Sequence, residues 1–180
     1  MFSQDYVGIK TGINYSNITN TDLEGNPKAR VGMQVGLVLK SIESENWAFQ
    51  IEFLYSQKGA SFVEDIVDVT YQLDMFQNNI VYNRIINKKI SVSTGLFWAT
   101  FVKNKTLISI DNGEKNELGE EFNLRSKSPE IGGLLRLEYS INEYISLTLD
   151  YNISLFNYLS NINGKNSLFT LGIHGYFVKG

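Results

Sequence analysis

Apolar and polar side chains alternate along most of this chain with a period of two residues, which is the pattern of β-strands. The clearest case is residues 47–59, whose apolar face carries Trp47, Phe49, Ile51, Phe53 and Tyr55. Similar alternation predicts eight strands, at residues 6–16, 30–40, 47–59, 69–82, 89–103, 130–139, 145–155 and 167–178. Helical periodicity is absent from these segments, so the chain is predicted to be all-β.

The predicted connections differ in length in a regular way. Four are long and polar, at residues 18–29, 59–68, 104–128 and 158–166. Three are short, at residues 41–46, 83–88 and 140–143. Long loops at one end and tight turns at the other are typical of an outer-membrane β-barrel.

The size of the apolar side chains indicates whether the apolar faces form the inner or the outer surface of the barrel. A soluble barrel of the lipocalin kind would turn these faces inward, but about five large residues from each strand would overfill so narrow a lumen. The opposite faces, rich in Gly, Ala and Ser with occasional charges, fit the lumen better. We therefore predict one domain over residues 1–180, an eight-stranded antiparallel up-and-down transmembrane β-barrel with the apolar face outward.

Aromatic residues are placed as expected for a lipid-facing band. Trp47 and Tyr55 are eight residues apart on one face, which is roughly 26 Å along a strand and roughly 20 Å of height after tilting. We predict a loop-side girdle that contains Tyr55 and Tyr15. Trp47, Tyr139 and Phe177 form the predicted turn-side girdle.

Charged and amide side chains on the inner faces predict a closed network of salt bridges and hydrogen bonds, because buried charges must pair. The predicted members are Lys10, Arg30, Gln34, Lys40, Glu52, Arg136, Glu138, Asp150 and His174. Such a network stiffens the barrel and blocks conduction. A proton or ion path through it is the alternative.

The fourth predicted strand is irregular because Gln77, Asn78 and Asn79 follow one another in its middle. No choice of face keeps all three side chains out of lipid. Either a bulge switches the parity of the strand here, or this strand faces a protein partner instead of lipid.

Composition excludes several kinds of chemistry. With a net charge of −3 and a pI near 5.2, the chain has no basic footprint for nucleic acid. It has no Cys and a single His, so we expect no metal site and no cofactor. A catalytic site would have to combine His174 and Asp150 with Ser154 or Thr170. On the predicted parity His174 faces the lumen, away from lipid substrates, so we predict no enzymatic activity.

Two further segments carry expectations of their own. The acidic stretch "DNGEKNELGEE" does not fit the calcium-loop pattern and is expected to be a solvated loop. Because "TLISID" before it still alternates, the fifth and sixth strands are expected to extend beyond the membrane as an exposed hairpin that can dock a partner. Residues 2–4 are expected to be the remainder of a removed leader, with Met1 added in cloning.

Several motifs, in order along the chain, resemble the small PorT-like outer-membrane β-barrels of Bacteroidota. The matching pieces are "VGIKTGINYSNI", "FQIEFLYSQKGA", "STGLFWATFVKNK", "EIGGLLRLEYSI", "SLTLDYNISLFNYL" and "NSLFTLGIHGYF". Two pieces depart from the family: the fourth strand lacks its usual proline, and "VKG" follows Phe177.

We predict that the barrel lies in the outer membrane with both termini in the periplasm, in contact with lipid and with other envelope proteins. The resemblance implies a role in secretion or gliding machinery, so the leading hypothesis is a non-enzymatic anchor or scaffold subunit. The alternatives are a stand-alone barrel whose loops bind an external ligand or surface, and a lipid-modifying enzyme.

Overall fold

The computed structural model describes residues 4–19, 26–64, 67–110, 115–117, 129–156 and 165–179. Within these ranges it contains nine β-strands: β1 Gln4–Thr19, β2 Asn26–Ser44, β3 Trp47–Glu64, β4 Val67–Ile85, β5 Ile90–Ile110, β6 Lys115–Glu117, β7 Glu130–Ser140, β8 Ile145–Ser154 and β9 Lys165–Lys179. None of the described residues forms a helix long and apolar enough to cross a membrane. The expected leader remnant before residue 4 lies outside the described residues.

Eight of these strands close into a ring by antiparallel pairing. Each strand pairs with its neighbours in the order β1-β2-β3-β4-β5-β7-β8-β9, and β9 returns to pair with β1. The short β6 pairs with β5 among the described strands and stands outside the ring. The predicted eight-stranded antiparallel barrel is confirmed.

The alternation of side chains sorts the residues of each strand between the two surfaces of the ring. On β3, Phe49 and Phe53 are 38% and 48% exposed, whereas Gln50 and Glu52 are 0% exposed. The same alternation runs through β7 and β8. The apolar faces therefore point outward, as predicted, and the polar faces line the lumen.

Seven of the eight ring strands are longer than the ranges predicted for them, and β8 is the exception. The expected loop at residues 59–68 is mostly strand, since β3 continues to Glu64 and β4 starts at Val67. The expected loop at residues 104–128 begins with strand as well, because β5 continues to Ile110 and pairs there with β4 and β6. The extension of β5 agrees with the alternation in "TLISID", whereas β7, the sixth predicted strand, starts at Glu130 and is not extended at that end. Elsewhere the backbone ladder extends the strands without a simple alternation of apolar and polar side chains.

These extensions, together with the adjoining ends of the predicted strands, form one raised side of the barrel, which we call the loop-side wall: residues 26–33, 57–64, 67–74 and 103–110. On the other side β7 starts at Glu130, opposite Ala99, and β8 ends at Ser154. The wall contains Gly59, whose φ of +141° is unfavourable for any residue with a side chain. A Cβ atom there would also lie 2.0 Å from the carbonyl oxygen of Tyr71.

The bulge considered for residues 77–79 is absent. The β3–β4 register runs without a shift from the Trp47–Arg84 pair to the Glu64–Val67 pair. The nearest irregularity is in β5, where the partners of Asp74 and Met75 are Lys103 and Phe101. The parity of β4 therefore does not change at residues 77–79, and two of the three polar side chains point inward.

Candidate functional site

The centre of the lumen is occupied by a buried carboxylate that collects cations from across the barrel. Glu52 of β3 lies 3.3 Å from Lys10 Nζ of β1 and 2.7 Å from an Arg136 guanidinium nitrogen of β7. All three side chains are at most 2% exposed. This cluster connects strands that are not neighbours in the ring, so it spans the lumen.

Asp150 balances the charge of this cluster. Its oxygens accept from Arg136 Nε at 2.7 Å and from a second guanidinium nitrogen at 2.9 Å, which is the fork geometry that favours arginine over lysine. Lys10 also pairs with Asp150. Two cations and two anions thus form a neutral central cluster of Lys10, Glu52, Arg136 and Asp150.

Amide side chains complete the hydrogen bonding of Glu52. Gln50 donates to one Glu52 oxygen at 2.5 Å, and Asn79 donates to the other at 2.6 Å. Gln77 donates to Asn79 at 2.9 Å. Gln77 and Asn79 are both about 1% exposed, so these polar residues of β4 belong to the lumen. Asn78 between them is on the outer face.

His174 of β9 is fully buried beside the central cluster. Its Nδ1 lies 3.1 Å from the Tyr176 hydroxyl and its Nε2 lies 3.4 Å from Glu52. The hydroxyl groups considered as nucleophiles are occupied elsewhere: Ser154 donates to Glu130 at 2.5 Å and Thr170 donates to Asn14 at 2.8 Å. The structure does not bring these hydroxyls to His174.

Two further ion pairs lie above and below the central cluster. Lys40 of β2 pairs with Glu138 of β7 at 2.8 Å. Lys58 of β3 pairs with Glu130 of β7 at 3.1 Å. Lys58 and Glu130 were not among the predicted network residues. Lys58 lies at the end of the third predicted strand, and its even parity with Gln50 indicates that it points inward.

The two remaining predicted residues, Gln34 and Arg30, lie on β2 above the centre. Gln34 is buried with 2% exposure. Arg30 is half-buried and donates to the backbone carbonyl of Lys58 at 2.8 Å. Arg30 therefore stands at the base of the loop-side wall.

The lumen is not polar throughout, which corrects the prediction of a network filling the barrel. Its loop end is packed with apolar side chains: Ile18, Ala60, Phe62, Leu73, Met75 and Ala99. A smaller apolar cluster of Tyr6, Val38 and Tyr176 lies at the turn end. The polar network therefore lies between two apolar layers, whose inward side chains pack like a soluble core.

A cavity of about 350 Å³ opens at the turn end of the barrel. Its lining includes Tyr6, Tyr176 and Lys40, together with Lys88 and Lys89 of the β4–β5 turn. It lies at the mouth of the lumen, and the buried central cluster lies beyond it.

Aromatic residues on the outer face lie at two levels. Near the turns, Trp47 stacks on Tyr82 with ring centroids 6.1 Å apart. Near the loops, Tyr55 packs edge-on against Phe76 at 6.4 Å. Of the other predicted girdle residues, Tyr15, Tyr139 and Phe177 are 58%, 43% and 59% exposed. In the described part of the chain, no group of three or more potential ligand side chains could hold a metal ion.

Comparison with known proteins agrees with this geometry. Residues 2–160 match the family described as the outer membrane protein beta-barrel domain. The chain belongs to this family and is a bacterial outer-membrane β-barrel protein. The resemblance is thus confirmed at the level of a small outer-membrane barrel. None of the curated proteins compared with it matches its sequence.

Two solved structures share the fold at low sequence identity. Neisserial surface protein A is similar with a TM-score of 0.64 and 10% identity, over 95% of this chain and 97% of its own. The attachment invasion locus protein Ail of Yersinia pestis is similar with a TM-score of 0.52 and 16% identity, over 98% of this chain and 100% of its own. At such identities the likeness extends to the fold alone.

Proposed function

We propose that this protein is a non-conducting, non-enzymatic outer-membrane barrel that serves as an anchor or scaffold subunit of a larger envelope assembly. The observation that carries the proposal is the neutral cluster of Lys10, Glu52, Arg136 and Asp150 across the lumen. A pore would need a hydrated path there, but these side chains are at most 2% exposed. The buried cluster fills the centre of the lumen, which favours a structural role over transport.

The position of His174 supports a non-enzymatic role. The only imidazole of the chain is 0% exposed inside the lumen, where a lipid substrate in the membrane does not reach it. Its hydrogen-bond partner is the Tyr176 hydroxyl, not a serine or threonine nucleophile. General-base catalysis requires the base to be within reach of the proton that it abstracts, so we assign His174 to the lumen network.

The proposed setting follows the resemblance to PorT-like proteins of Bacteroidota, which implies secretion or gliding machinery. Both termini leave the barrel at the end of the short turns, since Gln4 pairs with Ile42 and Tyr6 pairs with Lys179. Short turns of outer-membrane barrels are periplasmic, so we propose periplasmic termini. The proposed contacts are outer-membrane lipid around the barrel and envelope proteins at its ends.

Extraction from native membranes in a mild detergent tests the scaffold role. An affinity-tagged copy should co-purify with the same partners in a fixed ratio. An unrelated tagged eight-stranded barrel, expressed at the same level, is the control for non-specific capture. If the tagged protein is recovered without such partners, the scaffold role is wrong.

The loop-side wall favours a second candidate, a stand-alone barrel whose exposed end binds an external ligand or surface. The wall continues past Tyr55 and Phe76, and β6 pairs with its β5 strand at residues 107–109. Lys105 and Glu117 form an ion pair that joins β6 to this wall. This candidate predicts partner-free extraction together with binding of intact cells to a surface or ligand.

A further inference from the structure

Asn78 is a polar side chain in an apolar environment. Its outward neighbours on β4 are Phe76 and Ile80, which are 57% and 40% exposed. These outward positions lie between the loop-side aromatic pair Tyr55–Phe76 and the turn-side pair Trp47–Tyr82. Asn78 therefore lies inside the lipid-facing band. Among the described residues, no side chain or backbone group makes a hydrogen bond to its amide.

Asn78 cannot satisfy its amide by turning inward. Phe53, Asn78 and Trp98 lie side by side on β3, β4 and β5 in an uninterrupted register. The inward residues Gln77 and Asn79 hydrogen-bond to each other at 2.9 Å, and Asn79 is also bonded to Glu52. These contacts fix the parity of β4 and hold Asn78 on the outside.

An amide in the hydrocarbon region is unfavourable unless another protein group pairs with it. We infer that two copies of this chain associate through the outer face of β4, with Asn78 of each copy at the two-fold axis. A second copy in the same membrane carries its own Asn78 at the same depth. Because a carboxamide both donates and accepts, two such groups can form a reciprocal pair of hydrogen bonds about the axis.

The side chains around Asn78 suit such a contact. Phe53, Phe76 and Trp98 are 48%, 57% and 40% exposed on this face, and aromatic residues are enriched in protein interfaces. Between lipid-facing surfaces, packing and hydrogen bonds rather than the hydrophobic effect drive association. The Asn78 amides would orient the two copies, and the aromatic side chains would form most of the contact surface. This inference does not depend on the proposed scaffold role.

The chain has no cysteine, so single-cysteine variants test the contact without background. Asn78→Cys is cross-linked in outer membranes with a short, thiol-specific bis-methanethiosulfonate reagent and run on a non-reducing gel. Leu171→Cys is the matched control, because Leu171 is 63% exposed and β9 is four strands from β4 in both directions around the ring. The reagent is needed because a direct disulfide requires Cα atoms about 4.4–6.8 Å apart, closer than two carboxamide side chains that face each other allow.

We expect a reducible band of twice the monomer mass as the main product for Asn78→Cys and only a trace for Leu171→Cys. Equal cross-linking of the two variants would overturn the inference. Cross-linking of Asn78→Cys to a protein of another mass, in place of the doubled band, would also overturn it.

A second measurement does not rely on cross-linking. The dimer fraction in mild detergent is determined by native mass spectrometry for the wild type, Asn78→Leu and Leu171→Ala, after heat-modifiable migration shows that each is folded. Loss of the amide pair should lower the association constant of Asn78→Leu about tenfold, which corresponds to about 1.4 kcal/mol, because hydrogen bonds between protein groups inside the bilayer are of this size. Leu171→Ala should match the wild type. An Asn78→Leu dimer as strong as that of the wild type would contradict the inference.

Discussion

Arg136 on β7 and Asp150 on β8 are direct cross-strand partners, and Arg136 Nε lies 2.7 Å from Asp150 Oδ1. The same guanidinium group lies 2.7 Å from Glu52 on β3, across the lumen. One side chain thus joins a local strand pair to the far wall of the barrel. Lys10 contacts the same two carboxylates, so the central cluster depends on both cations.

Replacing Arg136 should therefore destabilise the barrel strongly. In Arg136→Met, Glu52 and Asp150 share Lys10 as their remaining cation, which leaves an uncompensated buried charge. We expect the free energy of unfolding to fall by about 3–5 kcal/mol, measured by urea unfolding in lipid vesicles. Arg136→Lys keeps the positive charge but not the two parallel hydrogen bonds to Asp150. The free energy of unfolding should therefore fall less for this variant than for Arg136→Met. Equal losses for the two variants would contradict a role for the fork.

The Lys58–Glu130 pair allows a double-mutant cycle. Each single variant, Lys58→Met or Glu130→Gln, leaves one buried partner without its counterpart. The double variant leaves neither, so its loss of unfolding free energy should be smaller than the sum of the single losses by about 1 kcal/mol or more. Additive losses would show that the two side chains, 3.1 Å apart, do not interact.

The outward direction of the apolar face predicts how the barrel responds to a surface charge. Leu135 is 58% exposed on the outer face of β7, and Leu135→Lys should cost about 2–4 kcal/mol in a bilayer. Asp68→Lys, on an exposed side chain of the loop-side wall, should change stability by less than about 0.5 kcal/mol. If Leu135→Lys is tolerated as well as Asp68→Lys, that face does not contact lipid.

Gly59 tests whether the loop-side wall depends on a local backbone conformation. Alanine at this position would combine an unfavourable φ with a contact to the Tyr71 carbonyl oxygen. We expect Gly59→Ala to lower hydrogen-exchange protection in residues 60–64 and 67–71 while the membrane-spanning strands remain protected. Gly133→Ala is the control, because no atom lies within 4 Å of its added Cβ. Unchanged protection in Gly59→Ala would show that the wall tolerates the contact.

The membrane-spanning part of this barrel can be predicted from the sequence because a single physical signal determines it. Where one surface meets lipid and the other a narrow lumen, residues such as Phe53 and Glu52 must alternate. The loop-side wall lacks this constraint. Its strands are fixed by backbone pairing, as between Val67 and Ile110, and side-chain alternation indicates only one of them, at "TLISID" in β5.

The pairing of lumen residues is harder to predict than their direction. Parity alone indicates that Glu52 points inward, but its contacts with Lys10 and Arg136 depend on the stagger of strands that are distant in sequence. The polar run on β4 shows the same limit. From the sequence alone, either a bulge or a strand that faces a partner accounts for these polar residues. In the structure the β3–β4 register is continuous, so Gln77 and Asn79 point inward and Asn78 alone of the three points outward.

Single-channel recording in planar bilayers tests the central claim that the buried cluster closes the lumen. Wild-type protein that migrates as a folded, heat-modifiable barrel should give no steady conductance at moderate voltage. Steady single-channel steps from the folded wild type would contradict the account.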